Sequence, residues 1–151
     1  MIVTFFGHSY FSPTEENERK ILNFLEEIIG DRIAYAYLGN HGGFDEFAYD
    51  CCKKYKENHP NLLLIYVTPY MTIDFQEKHI KQEMKRYDAV LYPEIEDKPI
   101  RFAISYRNKF MVEESDYVIT YVSHDWGGAY TAYKYAKRKG KHVFNLADFD
   151  G

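Results

Sequence analysis

The sequence predicts an α/β fold, a doubly wound and mostly parallel sheet in a Rossmann-like three-layer sandwich. Two observations carry this prediction. Short apolar runs alternate with stretches of helical periodicity along the whole chain, which is the pattern βαβ units produce. The apolar runs are also nearly continuous, as strands are when helices cover both faces of a parallel sheet. Right-handed crossovers between the strands then place helices on both sides. A length of 151 residues suits one domain with one core, here residues 1–151.

The elements follow in order. IVTFF (2–6) reads as a buried strand. In TEENERKILNFLEEIIG, the residues Ile21, Leu22, Leu25, Ile28 and Ile29 fall at helical spacing, with Thr14 as N-cap ahead of Asn17 and Gly30 as the stop. IAYAYL (33–38) is a second strand and 44–57 a second helix. NLLLIYVTPY (61–70) holds a third strand ended by Pro69, residues 74–86 form a polar helix, and DAVLYP (88–93) is a short fourth strand. The polar stretch EIEDKPI reads as an exposed loop. Residues 101–116 read as helix, YVITYV (117–122) as a fifth strand, 128–139 as a helix stopped by Gly140, and HVFNL (142–146) as the last strand.

Composition narrows the function classes. A net charge of -4 gives nucleic acid no help from bulk electrostatics and argues against it as a partner. Met1 leads straight into a strand rather than a signal peptide, and no apolar run approaches the roughly 20 residues of a membrane span. Cys51 and Cys52 are adjacent on a helix and point apart, and they lack metal-binding spacing. The expectation is a reduced, cytoplasmic protein without a membrane partner, metal or cofactor. Fifteen tyrosines and 11 phenylalanines serve cores and polar edges first, though such rings also stack on bases.

In a sheet of this kind, ligands bind beyond the carboxyl ends of the strands. Three glycine-bearing turns fall at that edge: Gly7-His8, GNHGGFD with Gly39, Gly42 and Gly43, and SHDWGGA with Gly127 and Gly128. Glycine lets backbone approach a ligand, and helix N-termini favour anions, so the turns point to a phosphate or phosphosugar. The spacing G-x-x-G-G is not the dinucleotide fingerprint, and neither a P-loop nor a nucleophile elbow is present. Histidines lack zinc-hydrolase spacing; His8 and His124 fall at the ligand edge.

TFFGHSYF, LGNHGGFDEFA, YRNKFMVEESDYVITYV and WGGAYTAYKYAKRKGKHVFNL, taken in that order, resemble the SLOG superfamily. That group includes the Lonely Guy phosphoribohydrolases, DNA-processing protein A and sensor domains of bacterial conflict systems; the likeness is to a small bacterial and phage branch. The resemblance implies a Rossmann-like domain holding a nucleotide or nucleotide-derived ligand, with homo-oligomers common among relatives. It maps the glycine turn to Gly39, Gly42, Gly43 and Asp45, the arginine motif to Arg107 and Asn108, and the late glycine pair to Gly127 and Gly128. Ser9 stands where many members carry arginine, and GGAYTAYKYA lacks the glutamate of the phosphoribohydrolases.

Arg107 is the candidate phosphate ligand, because its guanidinium grips phosphate bidentately. Asn108 serves a ribose hydroxyl or a backbone cap. Asp45, in a helix first turn, accepts ribose hydroxyls or stabilises an oxocarbenium-like centre. Asp125 caps the following helix or supplies a second carboxylate, and Trp126, the single tryptophan, stacks on a base or packs. The leading expectation is a sensor or sequestering protein for a nucleotide-derived small molecule, bound by Gly7, His8 and these residues. The alternative is N-glycosidic-bond hydrolysis or transfer through Asp45 or Asp125. Single-stranded DNA binding ranks third, because the basic run KYAKRKGK (134–141) reads as a solvated helix end away from the ligand edge.

Overall fold

A computed structural model describes residues 1–149. Six parallel strands form one sheet in the order β4-β3-β2-β1-β5-β6. They are β1 (Ile2–Gly7), β2 (Ala34–Leu38), β3 (Leu62–Val67), β4 (Ala89–Leu91), β5 (Tyr117–Tyr121) and β6 (His142–Asn145). The helices α1 (Glu15–Ile28) and α2 (Gly43–Lys56) cover one face, while α5 (Ala103–Glu114) and α6 (Gly128–Arg138) cover the other. This is an α/β, Rossmann-like three-layer fold, as the alternating pattern predicts.

Alternation along each strand divides the core. Val3, Phe5, Leu64 and Ile119 face α1 and α2, whereas Phe6, Val67 and Val118 face α5 and α6. Each fully buried large side chain contributes about 1.5–3 kcal/mol over its exposed state. Helix α1 starts where Thr14 Oγ1 accepts from the Asn17 amide at 3.1 Å, and it buries Ile21, Leu25 and Ile28 at helical spacing. Gly30, at φ 54°, ends it in the left-handed conformation that glycine adopts freely.

The stretch after β3 departs most from expectation. The predicted single helix is α3 (Ile73–Phe75), a π-type turn over Gln76–Ile80, and α4 (Lys81–Arg86). Arg86 ties it to α2 through both carboxylate oxygens of Glu46, at 2.9 and 3.0 Å. The polar run after β4 is an exposed loop, followed by one 3₁₀ turn (Ile100–Phe102) into α5. Cys51 and Cys52 are buried and unbridged, and burial pushes the Cys51 thiol up to about 12, so neither offers a reactive thiolate. Among the described residues no helix is long and apolar enough to cross a membrane.

The sheet order reverses direction between β1 and β5. The chain runs outward from β1 through β2, β3 and β4, then returns to β5 on the other side. Crossovers on opposite sides of the sheet leave a crevice at the carboxyl ends of those two strands.

Candidate functional site

A cleft of about 240 Å³ occupies that crevice. Gly7, His8, Ser9 and Tyr10 enter it from the end of β1, Gly39, His41 and Asp45 from the β2–α2 turn. Arg107 and Asn108 enter from α5, and His124, Trp126, Gly127 and Gly128 from the end of β5. The structure thus gathers most of the predicted residues from four separate segments.

Three rings stack across it. His8 and His124 lie 3.6 Å apart at 13°, and His124 and Trp126 lie 3.9 Å apart at 15°. His8 anchors the stack: its Nε2 accepts the Ser123 amide at 2.9 Å, which leaves the other ring nitrogen protonated in the neutral form. Burial, and then the neighbouring His124, hold the His8 pKa below the usual histidine value, so the ring stays neutral. Trp126 ends the stack and is 68% exposed; Tyr10, at the mouth, is fully exposed. Large rings left in water beside a polar cleft have an unfilled stacking face.

Arg107 is only 4% exposed and fixed from two sides. Its Nη1 donates to the Val67 carbonyl at 2.8 Å and its Nε to Asn108 Oδ1 at 2.9 Å. Asn108 therefore positions the guanidinium. Asp45 faces the same point: a Cβ on Gly39 would lie 2.8 Å from Asp45 Oδ2 and 3.3 Å from both Arg107 Nη atoms. Gly39 is the space these two side chains occupy. Burial raises the Asp45 pKa to about 6, against the opposing pull of Arg107 and of the His41 amide, which donates to Oδ2 at 3.0 Å.

The two glycine pairs do different work. Gly42 sits at φ 103°, and a Cβ there would lie 2.5 Å from Ser9 Cβ. The Gly43 amide donates to the Ser9 carbonyl at 2.8 Å and that of Phe44 to His8 at 3.4 Å. The β1–α1 segment thus closes the start of α2, and Gly42 and Gly43 do not line the cleft. The start of α6 is open. Gly127 has φ 92°, and a Cβ on either Gly127 or Gly128 would meet nothing within 4 Å. Gly127, Gly128 and Ala129 line the cleft, so the start of α6, with no side-chain cap, borders it, and a helix start favours an anion through its dipole.

Asp125 is exposed, outside the cleft wall, and does not pair with Asp45 across it. Sequence reasoning put His124 at the ligand edge without giving it a role, and it singled out neither Tyr10 nor Asn145. Asn145 clamps the exit of β5, accepting from Thr120 Oγ1 and the Val122 amide and donating to the Val122 carbonyl at 2.9–3.0 Å. A polar residue following Val143-Phe144 inside the strand run HVFNL is its signal. The basic run 134–141 lies at the exposed C-terminal end of α6, as read from the sequence; two of its cations, Lys134 and Arg138, line a groove with α5 that shares Asn108 and Gly128 with the cleft.

No family model matches the sequence, and no curated protein matches it. Among solved structures, the chain is similar to DNA processing protein A from Helicobacter pylori, a structure described for its single-stranded DNA binding mode. The TM-score is 0.65 at 20% identity, over 99% of this chain and 66% of that one, so the chain spans just under two thirds of its neighbour. The likeness is one of fold. It corrects the expectation that an acidic balance argues against nucleic acid, since this same fold serves a protein that binds single-stranded DNA. Net charge sums the whole surface, whereas a strand meets one face.

Proposed function

We propose that the protein binds single-stranded nucleic acid and takes one nucleotide into the cleft between β1 and β5. The carrying observation is the stack His8–His124–Trp126, which ends in an exposed indole beside the uncrowded start of α6 at Gly127 and Gly128. A base extends the stack on Trp126, its phosphate meets the start of α6, and buried Arg107 supplies the positive charge. Base stacking is tolerant of sequence, so recognition is of strand rather than of code. The fold neighbour and the SLOG resemblance both support this reading.

A second reading rests on Asp45. A carboxyl with a pKa of about 6 beside a nucleotide cleft is the kind of group that serves as general acid or base. In that reading a free nucleotide occupies the cleft, sensed, sequestered or cleaved at its N-glycosidic bond.

One experiment separates the two. Purified protein is titrated with labelled oligo-dT, a duplex of the same length, and free mononucleotides, and each sample is then analysed by mass spectrometry. The account predicts binding of oligo-dT over duplex with all ligands recovered intact. Trp126→Ala weakens oligo-dT binding about 5- to 150-fold, the worth of one stacked base. Preference for duplex, or an unchanged affinity in Trp126→Ala, overturns it. Release of free base that is lost in Asp45→Asn establishes the second reading.

A further inference from the structure

The cleft does not end at Gly128. A second cavity, of about 680 Å³, runs on between α5 and α6 and shares Ile104, Asn108 and Gly128 with the first. Its walls carry Lys109 from α5 and Lys134 and Arg138 from α6, interleaved with Tyr130 and Tyr135. Tyr130, Lys134 and Arg138 repeat every four residues and so form one stripe along α6. None of the three cations forms an ion pair among the described residues. They lie instead against rings: Lys134 Nζ is 5.5 Å from Tyr130, Arg138 Cζ is 5.2 Å from Tyr135, and Lys109 Nζ is 5.8 Å from Tyr135. Glu113, at the far end, accepts the Tyr135 hydroxyl and holds that ring in place.

We propose that this groove is the track for the rest of the strand whose one nucleotide fills the cleft; it thus rests on the single-strand reading. Cations without carboxylate partners, placed beside rings, match a chain of alternating phosphates and bases. Ten residues separate Gly128 from Arg138, and at about 1.5 Å each they span about 15 Å. That is the length of roughly four nucleotides at the per-strand rise of about 3.4 Å. A strand leaving the cleft past Gly128 therefore reaches Lys134 first and Arg138 last, with Lys109 on the facing wall.

The test is a length series. Affinity for dTMP, (dT)2, (dT)4, (dT)6 and (dT)12 is measured at several salt concentrations for the wild type and for Lys109→Gln/Lys134→Gln/Arg138→Gln. In the wild type, affinity climbs to about five or six nucleotides and then levels. In the triple variant the (dT)6 affinity falls by about tenfold or more at low salt, and the log–log salt slope drops by about 2, at roughly 0.7 per phosphate contact. Its dTMP affinity is unchanged, because the cleft is intact. A wild type that binds (dT)6 no tighter than (dT)2 overturns the track while leaving the cleft reading in place. A triple variant that keeps the full slope does the same. Failure of the wild type to bind any oligonucleotide removes the cleft reading and the track together.

Discussion

Burial and Arg107 pull Asp45 in opposite directions, and burial wins. The native carboxyl holds its proton up to about pH 6, whereas the unfolded one loses it near 3.8. Between those values the folded state binds more protons, so this group makes stability fall as pH rises from about 4 to 6. The cost at pH 7 is on the order of 1–3 kcal/mol. Asp45→Asn removes that cost, so the variant gains on the wild type between pH 4 and 7 when both are followed by urea denaturation. A constant difference across that window contradicts the assignment. At this scale the sequence was readable in part. Arg107 and Trp126 carry chemistry that their residue types announce. Arg107's burial was not readable, because its partner carbonyl, Val67, lies 40 positions away. The ring stack likewise needs His8 and His124 to meet across the switch point.

The turns that launch α2 and α6 look alike in sequence, as Gly-Gly pairs, and differ in structure. Gly42 and Gly43 are packed under the β1–α1 segment, and the α2 amides are spent there. Gly127 and Gly128 face open space. Gly42→Ala adds a strained φ to a collision with the Ser9 backbone and costs about 2 kcal/mol or more. Gly128→Ala has normal φ and free room, so stability stays within about 0.5 kcal/mol, while oligo-dT binding weakens because the methyl enters the strand's path. Thermal denaturation and binding, measured side by side on both variants, check this. A Gly128→Ala protein that binds as well as the wild type denies a ligand at the start of α6. No local pattern distinguishes the two pairs, since the difference lies in what a distant loop covers. The helical stretch 73–86 was visible in the sequence but its π-type turn was not.

At the scale of the molecule, periodicity made the architecture legible. Continuous apolar runs demanded a sheet covered on both faces, and the right-handed crossover rule left few ways to wind it. Strand order places the site, because only the β1–β5 boundary reverses direction. Net charge alone does not decide a partner, since -4 is summed over the whole chain while Lys109, Lys134 and Arg138 gather along one groove. The most direct measurement uses the chain's single tryptophan. Trp126 is 68% exposed at the end of the stack, so its own fluorescence reports whether a base docks there. Titration with unlabelled oligo-dT should quench that emission saturably, with the same midpoint as binding followed on a labelled strand, and matched duplex should leave it unchanged. Saturable binding of oligo-dT with no change in tryptophan emission would place the strand elsewhere and contradict the account.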